Sequence, residues 1–148
     1  MIPLDSDIKE EHIVEYIVSW LRTLPQLSSI ANKIQAFELL PDSPVDSALV
    51  LLSEYGKPKP ETFAESYIEI VSCGKTLRSA REIAFLIYDT LRYRFQAMLP
   101  TPFPLPQGMT VDQLPPIQLK KIAAAGRIRI AGNPMNGEYR YSTTFIFS

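Results

Sequence analysis

Residues 67–94, YIEIVSCGKTLRSAREIAFLIYDTLRYR, run from a strand pattern through one glycine into an amphipathic helix. The strand part, expected over 65–72, alternates: Tyr67, Glu69 and Val71 face one way, Ser66, Ile68, Ile70 and Ser72 the other. The helix expected over 77–95 carries Ala80, Ile83, Ala84, Ile87 and Leu91 on one face. Arg78, Arg81, Glu82, Asp89 and Arg92 lie on its other side, the signature of a half-buried helix. A strand that leads directly into such a helix places both on one core, which points to an α+β layer.

The turn between them, Gly74-Lys75-Thr76, ends like a phosphate-binding loop. Such a loop needs glycine at both ends, G-x-x-x-x-G-K-[ST], so that its amides can curl around the phosphates. The position of the first glycine holds Glu69, a carboxylate within the strand pattern, which would repel a phosphate. Gly74 is therefore expected to end a strand, and Thr76 or Ser79 to cap the helix. No nucleotide chemistry is expected here.

Working outward, Val14, Ile17, Val18 and Leu21 recur at helical spacing over residues 7–24, with Pro25 as the stop. A polar stretch leads to a strand expected over 34–40. Pro41-Asp42-Ser43-Pro44 signals a turn, and a second strand follows over 47–54. There the unbroken apolar run 49–52 implies burial on both faces. Gly56-Lys57-Pro58-Lys59-Pro60 reads as a loop. The expected core is Val14, Ile17, Val18, Leu21, Val50, Leu52, Ile68, Ile70, Ala80, Ile83, Ala84, Ile87 and Leu91.

Residues 96–116 hold six of the 13 prolines. Proline at near-alternating positions forbids a helix and denies a central strand its donors. This segment is expected to be a stiff extended arm, partly polyproline II. It also carries Met98, Leu99, Phe103, Leu105 and Met109, an apolar surface too large to leave in water. The arm is therefore expected to lie across another subunit or partner through Pro100, Pro102, Phe103, Pro104, Leu105, Pro106 and Met109. Beyond it, residues 117–131 and 138–147 form a C-terminal β-hairpin, with Asn133–Gly137 as the turn. Tyr139, Tyr141, Thr143, Phe145 and Phe147 share one side of the final strand.

The chain has 148 residues, 46% hydrophobic and 21% charged, which suits one globular domain spanning 1–148. Its net charge of −1 argues against a dedicated nucleic-acid binder, whose affinity rests on a basic face. The single cysteine, Cys73, cannot form an internal disulfide. No signal segment is recognised at the start and no apolar run is long enough to cross a bilayer, so a soluble protein made in a reducing cytoplasm is expected.

Candidate chemistry is sparse. His12 is the only histidine and lacks further ligands at metal-binding spacing. Cys73 has no base nearby in sequence and reads as a small buried thiol. Glu38, Asp42 and Asp46 flank one turn and suit capping better than a cation site. Arg127, Arg129 and Arg140 are expected on one sheet face, to pair with acidic groups of a neighbouring subunit or to meet DNA phosphates. No catalytic constellation, metal or cofactor is expected, so the chain does not read as an enzyme.

Together these readings give an α+β fold: a single layer of mixed or antiparallel sheet, helices on one face, the C-terminal hairpin and the long proline-rich arm. LLPDSPVDSALVLL, residues 39–52, resembles the turn and second strand of phage tail terminator and minor capsid (head–tail completion) proteins. Gly74, Ala80-Arg81-Glu82 and Tyr88–Leu91 match that family's strand–glycine–helix, and the aromatic and Thr/Ser alternation near the end matches its closing strand. The likeness runs over residues 8–146. It departs at 96–116, where the family has a shorter link, and at Ser72-Cys73, where the family commonly has arginine.

The resemblance implies a virion protein, assembled in the host cytoplasm, that forms a homohexameric ring at the head–tail junction. Such a ring stops tail-tube polymerisation, contacts the tail-tube protein and the head connector or stopper, and lets DNA pass its lumen without specific binding. No membrane is involved. A head-completion or adaptor ring, a tail-tube subunit and, more distantly, a small nucleic-acid-binding module are the alternatives.

Overall fold

The computed structural model describes residues 10–36, 46–53, 66–130 and 139–148. Helix α1, Glu10–Leu21, is followed by a 3-10 helix, Pro25–Lys33, where a polar connection was expected. Strands β1, Ile34–Ala36, and β2, Ser47–Leu52, come next, then β3, Ser66–Gly74. Helix α2 spans Leu77–Leu91. Short strands β4, Tyr93–Phe95, and β5, Met98–Leu99, lead into the proline-rich stretch. Strands β6, Ile117–Gln118, β7, Lys121–Ala124, and β8, Arg129–Ile130, precede the long β9, Tyr139–Phe147. The expected turns at 41–44, 56–60 and 133–137 lie outside the described residues.

The main sheet has the order β1-β2-β3-β9-β7-β4, with β8 also paired to β9. Among the described strands of this sheet only the β1–β2 pair is parallel. The fold is thus α+β with a mostly antiparallel sheet. β7 and β8 pair successively along the same strand, with Ile122 beside Phe147 and Arg129 beside Ser142. They form the outgoing arm of the expected hairpin.

Strand alternation sorts the sheet into two faces. Ala48, Val50, Ile68, Ile70, Ile122, Phe145 and Phe147 turn inward to the core shared with Ile83, Ile87 and Leu91 of α2 and with α1. The expected core residues are all buried except Leu52, which is half-buried against that core. On the outer face Leu49, Val71 and Cys73 form a small second cluster, so β2 is buried on both faces as its apolar run required.

Helix α1 is apolar almost all round, and a helix of that kind must be covered on both sides. Besides the stripe Val14, Ile17, Val18 and Leu21 it buries Ile13, Tyr16 and Trp20. The second cover is the proline-rich arm. β4 pairs with β7 and β5 with β6, so residues 93–99 and 117–124 run as one antiparallel ribbon closed by the loop 100–116. Gln96, at φ 53°, bends this ribbon between β4 and β5. Leu99, Leu114, Ile117 and Leu119 enter the core. Tyr16 Oη donates to the Pro115 carbonyl at 2.6 Å, and Ser19 Oγ accepts from the Phe103 amide at 2.9 Å. The arm expected to reach off the molecule folds back over its own first helix, because two apolar surfaces of one chain cover each other.

Candidate interaction surface

The turn that ends in Gly74-Lys75-Thr76 is organised around α2. Thr76 is the N-cap: its Oγ1 accepts from the Ser79 amide at 3.0 Å, while Ser79 Oγ accepts from the Thr76 amide at 3.2 Å. The Lys75 amide donates to Asp46 Oδ1 at 3.3 Å. A carboxylate therefore sits where a phosphate would bring its charge, and the capping amides are committed. Gly74 is required by space: a Cβ there would overlap the Ala80 backbone nitrogen and Ser79 Oγ. Glu69 lies in mid-strand and accepts a 2.7 Å hydrogen bond from Ser142 Oγ.

Beside this turn an open cleft of about 260 Å³ is lined by Ser29, Lys33, Asp46, Ser79, Glu82 and Leu86. It falls below the ~300–1,000 Å³ of typical ligand pockets. Among the described residues no group of three His, Cys, Asp or Glu side chains is placed to hold a metal ion. Glu38 and Asp42 lie outside the described residues. Cys73 is buried on β3, in register with Arg140 and Ser47. No described helix is long and apolar enough to cross a membrane.

The expected interface residues fall into two separate sets. In the arm, Pro102 is buried, and Leu105 and Met109 pack half-buried against the core. Pro106 is half-buried as well. These four belong largely to the chain's own packing. Pro100, Phe103 and Pro104 remain outside, Phe103 with 85% of its surface exposed. The arginines form the second set. Arg129 stands opposite Ser142, and Arg140 is two residues from Ser142 on the same strand, so both share the outer face. Arg127 is exposed in the bend before β8. The arm covers α1 on the helix side, so the two sets do not form one surface.

Among the described residues, the most exposed large apolar groups in a regular element lie elsewhere, on β4. Tyr93 is 72% and Phe95 69% exposed, on the outermost strand of the sheet. Gln96 N bonds to Lys120 O and Ala124 N to Arg92 O, which turns the even-numbered backbone groups toward β7. The amides and carbonyls of Tyr93 and Phe95 therefore point away from β7, on the side where no described strand pairs. Register sets Phe95 beside Lys121, and sets Tyr93, Ala123, Ile146 and Tyr67 in one row across the outer face. Arg92, Lys120 and Lys121 are exposed around them.

This strand is absent from the expectations because Phe95 continues the helical stripe of Ile87 and Leu91. The available signal was the Tyr-Arg-Phe alternation, strand-like in period and composition. Pairing with residues 121–123 decides the outcome. No family model and no curated protein matches the chain.

Proposed function

We propose that the chain is a structural assembly subunit acting through protein–protein contacts: a phage protein that forms a ring at the head–tail junction, ends the tail tube and joins it to the head connector. The observation that carries the reading is β4, which among the described residues pairs on one side only and bears two exposed aromatics among cations. Exposed aromatic groups of this kind mark surfaces that are covered in use, and aromatic residues with arginine typify interface cores. The resemblance of residues 39–52 and of the strand–glycine–helix to tail terminators supplies the particular setting. On this reading the protein is not an enzyme and needs no cofactor.

Sedimentation over a rising concentration series tests the proposal. Mass that rises to a fixed plateau is the expected result. Growth without limit would make the chain a tail-tube subunit instead, and a monomer at every concentration would remove the reading. The gene order is a second check: a terminator gene belongs between those for the head connector and the tail tube.

The nucleic-acid alternative rests on Arg127, Arg129 and Arg140. It predicts duplex DNA binding that weakens steeply with salt.

A further inference from the structure

The outer face of the sheet carries a charge pattern of its own. At its described strand positions Lys121, Arg129 and Arg140 are cationic and Glu69 is the only carboxylate. Glu69 is already engaged by Ser142 Oγ. The stretch from Arg92 to Ile130, which supplies β4, β7 and β8, has Asp112 as its one acidic residue. Asp112 sits in the arm, on the helix side. Of the basic residues in that stretch, Arg94 turns inward over the Trp20 ring, while Arg92, Lys120, Lys121, Arg127 and Arg129 are exposed. Register puts Lys121 beside Phe95, with Lys120 next to it, and Arg92 adjoins Tyr93. The two exposed rings of β4 thus have cations at both ends.

A strand's side chains stand perpendicular to the sheet, while its amides and carbonyls lie in the plane. The edge of β4 and its aromatic face are therefore two surfaces, and the edge serves the assembly reading. We infer that the aromatic face binds single-stranded nucleic acid: Tyr93 and Phe95 stack on bases, and Arg92, Lys120 and Lys121 meet the phosphates on either side. This goes beyond the assembly reading and does not depend on it. Cations alone suit any polyanion. Exposed flat rings select one whose bases are free to stack, because the bases of a duplex already stack on one another. Two residues along a strand span about 6.6 Å, so each ring can take its own base. Ala123, in register with Tyr93, stands low on the sheet and leaves that ring open to a ligand lying across the face. Stacking and phosphate contacts of this kind tolerate many sequences.

Fluorescence anisotropy with the full-length protein at low salt reads the site directly. The probes are a labelled oligothymidylate, an abasic strand of the same length and a duplex of the same length. Tighter binding of the oligothymidylate than of either other probe is the expected result. Tyr93→Ala and Phe95→Ala should each weaken it by about fivefold or more, and Tyr93→Trp should retain it. All three replace exposed side chains, so melting temperature checks that the fold is kept. Lys121→Ala should lower the slope of log affinity against log salt by roughly 0.7, the loss of one phosphate contact on a single strand.

Equal binding of the abasic strand or the duplex would leave only a general basic surface and overturn the inference. So would oligothymidylate binding that both alanine variants retain in full. A protein that binds no oligonucleotide, yet loses its fixed mass when Tyr93 and Phe95 become alanine, would assign the rings to a contact between copies; that overturns the inference and leaves the assembly reading standing. A chain that stays monomeric at every concentration but binds oligothymidylate through the two rings supports the inference and removes the assembly reading.

Discussion

Tyr16 and Pro115 lie 99 residues apart in sequence and are joined by a 2.6 Å hydrogen bond from the phenol to the carbonyl oxygen. The bond fastens the loop of the β4–β7 ribbon to α1. Burial pushes the Tyr16 phenol from its ordinary 10.0 up to about 12. A proton is thus held more tightly in the folded state than in the unfolded one. Its stabilising contribution is full below about pH 10 and falls as pH rises from about 10 to about 12. Denaturant titrations across that range should show this loss, and Tyr16→Phe should remove the part due to this group. At neutral pH the same substitution should cost about 1 kcal/mol for the lost bond.

Leu114 belongs to the core even though it sits among prolines. Leu114→Ala should therefore destabilise by about 2–5 kcal/mol, as a buried leucine does. Deleting residues 100–106 should expose Ile13, Tyr16 and Trp20 and bind a hydrophobic dye, without leaving a well-folded monomer. A deletion variant with wild-type stability would show that the arm is not the second cover of α1.

The Gly74 turn separates packing from chemistry. Gly74→Ala should cost about 1–3 kcal/mol, because the added methyl overlaps the backbone of Ala80. Thr76→Ala should cost about 1 kcal/mol through loss of the cap. Lys75 is exposed, so Lys75→Ala should stay within about 0.5 kcal/mol of wild type by thermal denaturation. Nucleotide should not change the melting temperature of either protein.

Gln96 occupies the left-handed region at the bend of the ribbon. Gln96→Gly should be neutral or slightly stabilising, while Gln96→Val should destabilise, since a β-branched residue resists positive φ. Equal melting temperatures for the two variants would show that the bend places no demand on this residue.

How far the sequence was legible depends on where each element's periodicity stopped being its own. The stripe from Ala80 to Leu91 and the alternation of residues 66–72 are local patterns, and both appear as read. Phe95 extends the helical stripe by one more turn, yet pairs with Lys121, because strand partners 26 residues away are invisible to local spacing. Ile13, Tyr16 and Trp20 were a second apolar stripe in plain view. Their meaning emerges only when set beside the equally unexplained leucines of the proline-rich segment. In the interaction surface, the arginines on β8 and β9 followed from alternation. The Tyr93–Phe95 edge did not, since its exposure follows from the order of strands in the sheet.

β9 stands between β3 and β7 in the sheet but follows both in the chain. As the polypeptide is synthesised, β3 therefore waits with one edge open until β9 arrives, and α1 waits for a cover drawn from residues 99–119. Neither the sheet nor the first helix reaches its final surroundings from the early part of the chain alone. Non-local closure of this kind slows folding. The strand that joins β3 to β7 is also the last part of the sheet to be made. A nascent chain halted before residue 139 would leave β3 and β7 without the strand that pairs with both, and unpaired strand edges of this kind are where incomplete chains associate.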